Sequence, residues 1–184
     1  MHRTLLNIHL LIAAFLFPIA LMFAFTGGLY TLDIKGGYDE TEKTVALEAP
    51  LQPDLAGLTA LATRTLTALG EPLPSGSASI KKAGTSFEFE WTGVERDIVL
   101  RPTADPASAI LVIKDTSPWR HLVQLHKAKG SSVAKAISVT WAVGLVVILG
   151  TGMTMAWTSA PWRRKALQAG LAGLVTFGVY VLLG

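Results

Sequence analysis

Cysteine is absent from this chain, which removes disulfides, thiolate metal sites, covalent c-type haem and cysteine nucleophiles together. Charge is scarce as well, at 16% of residues against about a quarter in an ordinary soluble domain. The scarcity is local. All 13 acidic residues lie between Asp33 and Asp115, and 12 of the 16 basic residues lie between Lys35 and Lys135. Outside that stretch only Arg3, Arg163, Arg164 and Lys165 are charged. An ordinary soluble globule does not distribute charge this way, and the net charge of +3 averages a nearly balanced polar stretch with almost uncharged flanks. No basic stripe is interleaved with aromatics, so nucleic-acid binding is unsupported. Neither a Ser/His/Asp grouping, a phosphate-cradling glycine loop nor an HExxH spacing is present, and the chain reads as non-catalytic.

What the chain has is long apolar runs. Residues 10–30 carry no charge and are long enough to cross a bilayer, which takes about 20 residues. A second uncharged run covers 136–162, and a third, shorter one with Gln168 covers 166–184. The expected fold is a membrane α-helical protein with three transmembrane helices and a small α+β extracytoplasmic domain between helices 1 and 2. Residues 1–32 form the cytoplasmic N-terminus and helix 1, and 33–135 the inserted domain with a helical lead-in to helix 2. Residues 136–162 form helix 2, 163–165 a short basic cytoplasmic link, and 166–184 helix 3. Arg3 and the Arg163–Arg164–Lys165 cluster place both flanks in the cytoplasm, because basic residues near span ends stay inside. The central domain then faces the periplasm of a bacterial inner membrane. The first apolar run exceeds a signal-peptide core, and its Thr26-Gly27-Gly28-Leu29-Tyr30 end makes a poor cleavage site, so it reads as an anchor. Pro18 at mid-span predicts a kink. Gly144, Gly150 and Gly152, with Gly170, Gly173 and Gly178, predict close helix approach.

Within the domain, residues 33–50 read as a connector. Pro53-Asp54 opens a helical pattern in which Leu55, Leu58, Ala62, Leu66 and Leu69 share one face, and Gly70 stops it. Phe87, Phe89 and Trp91 alternate with Glu88 and Glu90 in a half-buried strand over 86–91, so the two carboxylates read as its solvated side. Further strands are expected at 98–100 and 109–114, with another over 79–82. Pro118 suits the first position of a helix running through 119–129.

Four histidines remain, at 2, 9, 121 and 126. His9 is followed by an apolar span that reaches Thr26-Gly27, and His126 by one that reaches Thr151-Gly152, each with an aromatic soon after. Each threonine either bonds back to its own helix or bridges to a neighbour. His2 shares the helix face of His9 about two turns away, and His121 and His126 lie on different faces. None of these spacings favours one metal ion. A Leu/Ile-His pair leading into a helix that carries Thr-Gly, given twice around an extracytoplasmic domain, resembles the PepSY-associated transmembrane family. The helix-then-strands order of the central domain resembles a PepSY domain. The chain departs from the family in having Leu10-Leu11-Ile12-Ala13 where Arg-Trp-Leu-Gly is common, and three spans where larger members have at least four.

A minimal bundle with small-residue faces and no catalytic constellation reads as a PepSY-type accessory or anchoring subunit of a larger membrane complex, or a homo-oligomer, that binds a partner through the central domain. The family resemblance implies, as a second, alternative reading, an electron-transfer protein that binds b-type haem with His9 or His126 as axial ligand and assists ferric-iron or siderophore reduction. Regulation of an extracytoplasmic peptidase is a third reading. His9 and His126 fall at opposite ends of about 30 Å of bilayer and cannot ligate one iron, so each ligand needs a partner from another subunit or a second copy. The alternative places both rings in the interfacial layer, bonded to backbone or headgroups.

Overall fold

The computed structural model describes residues 2–84 and 86–184, and the side chain of His2 lies outside the described residues. In chain order the elements are α1 (His2–Thr31), β1 (Tyr38–Ala46), α2 (Leu55–Leu69), β2 (Ala78–Ala83), β3 (Ser86–Trp91), β4 (Arg96–Pro102), β5 (Ser108–Thr116), α3 (Pro118–His126), α4 (Ser132–Thr158) and α5 (Ala160–Leu183). They sort into two compact units: residues 1–20 with 139–184, and residues 21–138.

The first unit is entirely helical. Helices α1, α4 and α5 are each long and apolar enough to cross a membrane, the pattern of a multi-pass membrane protein. Their apolar side chains stay largely uncovered; α4 and α5 bury no residue completely. Such surface suits hydrocarbon as its solvent, where a helix satisfies its own backbone polar groups. Pro18 lies inside the continuous helix α1. The turn between α4 and α5 falls at Ser159, not at residues 163–165. Pro161 explains the shift: a proline in a first helical turn loses no hydrogen bond, so α5 starts just before it. Trp162 and Arg163 donate their backbone N–H groups to the Ser159 carbonyl, and the three cations ride on α5 itself.

The second unit is built on a five-stranded antiparallel sheet in the order β1-β5-β4-β3-β2. Strand β1 corrects the expected connector. Its residues Asp39 to Thr44 are exposed, so no alternation of apolar and polar residues marks it. It pairs with β5 from Tyr38↔Thr116 to Ala46↔Ser108, and its acidic side chains suit an open sheet edge. The central strands are buried on both faces. Ile98, Leu100, Leu111 and Ile113 meet Leu58, Ala62 and Leu66 of α2, while the paired Val99 and Val112 fill the opposite face, where α3 approaches β5.

Local signals set the helix ends. Asp54 caps α2 by accepting from the N–H groups of Ala56 and Gly57 at 3.3 and 2.8 Å, and Gly70 closes it at φ +71°. Ser117 caps α3 ahead of Pro118. Helix α3 ends at His126 rather than Lys129, because Ala128 takes a left-handed φ of +52°. Glu88 pairs with Arg101 at 2.9 Å and Glu90 with Lys81, so both carboxylates serve the polar side of the sheet.

Leu66 is fully buried on α2, whereas Leu69 is 45% exposed. Leu66→Ala is therefore expected to lower unfolding stability by about 2–5 kcal/mol, and Leu69→Ala by far less. Denaturant unfolding of the detergent-solubilised chain checks the difference; equal effects would contradict the assigned core.

Candidate functional site

The two histidines singled out by sequence each meet the threonine of the other copy of the repeat. In the helical unit, His9 Nδ1 of α1 lies 2.8 Å from Thr151 Oγ1 of α4. In the sheet-bearing unit, His126 Nδ1 at the end of α3 lies 2.6 Å from Thr26 Oγ1 of α1. The glycine after each threonine makes room for the ring. A Cβ at Gly27 would meet His126 Cε1 at 3.2 Å, and one at Gly152 would meet His9 Cε1 at 3.4 Å. All six residues of the repeated motif thus fall into two triads: His9–Thr151–Gly152 and His126–Thr26–Gly27.

Counting protons fixes the tautomer. Thr26 Oγ1 donates to the Met22 carbonyl at 2.6 Å, and Thr151 Oγ1 to the Val147 carbonyl at 2.8 Å. A hydroxyl has one hydrogen, and turning it to the histidine would set two oxygen lone pairs against each other at those distances. Each threonine therefore accepts from its histidine, and Nδ1 carries the proton in both rings. It bonds back to its own helix and bridges to a neighbour at once. Nε2 of each ring has no hydrogen-bond partner among the described residues. Phe23 packs on the His126 ring at a centroid distance of 4.6 Å, and Thr26 is buried.

This arrangement is the one a metal-ligating imidazole takes, with the far nitrogen held by a neighbour and the near one open.

Sequence reading missed a polar cluster that holds α3, and with it His126, against the sheet. Buried Asp97 of β4 accepts from Tyr38 Oη at 2.8 Å, the Gly93 N–H at 3.0 Å, Gln124 Nε2 at 3.1 Å and Lys129 Nζ at 3.3 Å. Arg120 donates to Tyr38 Oη at 2.8 Å and lays its guanidinium over the same ring at 4.6 Å. These residues come from β1, β4, the loop before it, α3 and the loop after it. The one hint in the sequence was Arg120 and Gln124, polar residues four apart on a helix that also carries buried Val123. Burial raises the Tyr38 phenol to about 12, and its bond to the Asp97 carboxylate adds to the rise.

No family model, curated protein or solved structure matches the chain.

Two outcomes are expected. Thr26→Val removes the acceptor from His126 with little change of shape, so side-chain ¹⁵N shifts should report loss of the Nδ1–H tautomer, while Thr26→Ser retains it; an unchanged His126 signal in Thr26→Val would refute the assignment. For Tyr38, folded and unfolded states are both neutral below pH 10, where its stabilisation is complete. As pH rises from 10 to about 12 only the unfolded state ionises, so stability should fall in that window and fall less in Tyr38→Phe. Unfolding measured on both proteins across pH 9–12 checks this.

Proposed function

We propose that this is a PepSY-type, non-catalytic protein of the bacterial inner membrane, an accessory or anchoring subunit that binds a partner through its periplasmic domain. Helix α1 enters from the cytoplasm, the α+β domain lies in the periplasm, and α4 and α5 return through the membrane. The observation that carries this reading is a groove of about 670 Å³ in the sheet-bearing unit, between β1 and α2. Half-buried Val45, Leu47, Leu51 and Leu61 form its apolar floor, Lys43 and Arg64 stand beside it, and β1 is the sheet's edge strand. An open strand edge beside a helix is a surface to which another chain can add a strand.

One observation favours a second reading, a b-type haem protein assisting ferric-iron or siderophore reduction. The Nδ1–H of each histidine is held by threonine, and Nε2 is open beside a glycine. The residues fit one axial ligand per end, so a second copy or a partner subunit would supply the other. Haem would bring one-electron chemistry; the chain's own part is to fix ring orientation and tautomer.

The test separates the two. With haem supplied during expression, the purified chain is expected to give a flat dithionite-reduced minus oxidised spectrum and to co-purify with a stoichiometric membrane partner. Leu61→Asp in the groove should release that partner, whereas His9→Ala and His126→Ala should not. A sharp b-type band lost in the histidine variants would overturn the first reading in favour of the second.

A further inference from the structure

The helical unit of residues 1–20 and 139–184 contains no acidic residue at all. Arg163, Arg164 and Lys165 sit together near the start of α5, and their own unit has no acidic side chain to neutralise them. Lys165 instead lies 5.1 Å over the Trp162 ring. At the same end, α4 and α5 leave a cavity of about 450 Å³ between them, within the roughly 300–1,000 Å³ of small-molecule sites. Met153, Trp157, Leu167, Leu171 and Leu174 give it apolar walls, and Arg163 is the one charged residue in its lining. Gly170 and Gly173 keep it open: a Cβ at Gly170 would find only Met153 Cε, at 3.9 Å, and one at Gly173 nothing within 4 Å.

An apolar trough with an unneutralised cationic rim matches an amphiphile whose tail is hydrocarbon and whose head is an anion. We propose that this cavity holds one anionic phospholipid, with an acyl chain along the glycine face of α5 and its phosphate on Arg163, flanked by Arg164 and Lys165. A zwitterionic lipid fills the trough but brings its own cation to the rim, and free phosphate meets the rim but leaves the trough empty. The site stands on different residues from the histidine triads and the β1–α2 groove.

Native mass spectrometry of the full chain in neutral detergent tests it, with dioleoyl phosphatidylglycerol and dioleoyl phosphatidylcholine titrated in parallel. One phosphatidylglycerol should remain bound per chain under activation that strips phosphatidylcholine. Arg163→Gln should weaken that binding about fivefold, the effect of one cation at an anionic surface. Gly170→Leu should lower it by filling the trough, and Gly178→Leu, outside the lining, should leave it unchanged. Circular dichroism checks the helicity of each variant, and if Gly170→Leu loses helix the Arg163→Gln comparison decides. Equal retention of the two lipids, no loss in Arg163→Gln, displacement by inorganic phosphate, or a polypeptide occupying the cavity in place of lipid would overturn the proposal.

Discussion

A buried carboxylate must find donors, and in the sheet-bearing unit Asp97 collects them from four directions. Tyr38 comes from the edge strand, Gly93 from the turn before β4, Gln124 from α3 and Lys129 from the segment leading to α4. Leaving such a group without partners costs several kcal/mol, far more than any one of these bonds contributes when all are made. Satisfying Asp97 therefore decides how α3 lies on the sheet. Since α3 ends in His126, the same constraint sets which residue of α1 that ring can reach.

The two histidine–threonine pairs extend this logic into apolar surroundings. Threonine in a long apolar helix gives its proton to a carbonyl one turn back and presents an oxygen lone pair outward. A ring that arrives there has to donate. The chain thus orients each histidine ring with a hydroxyl whose direction is fixed by helix geometry. Glycine beside each threonine lets the ring approach its helix closely.

Elements governed by their own residues were legible in the sequence. Helix α2 was readable from Leu58, Ala62 and Leu66 on one face and from the Asp54 and Gly70 ends, and the three apolar helices from length and hydropathy. Strand β1 was not, because its residues face water and its strand character comes from pairing with β5, seventy residues onward. The break at Ser159 was displaced from the basic cluster because proline chemistry outweighs charge in starting a helix. The repeat around His9 and His126 was visible, but nearness in sequence links each histidine to the threonine of its own span. Only packing exchanges the partners. Asp97 and Tyr38 gave no signal, since a buried polar cluster drawn from separate segments has no spacing to recognise.

Helix α1 contributes a ring at residue 9 and a hydroxyl at residue 26, so two docking events read one helical phase. Each added or deleted residue along an α-helix turns every later position about its axis by about 100°. Substitutions along the lipid-facing side of α1 are cheap by comparison, because hydrocarbon accepts any apolar side chain. The lipid-facing positions between residues 9 and 26 are therefore free to vary in composition, unlike Leu16 and Phe23, which are packed, and descendants of this chain should tolerate drift there far better than insertion or deletion.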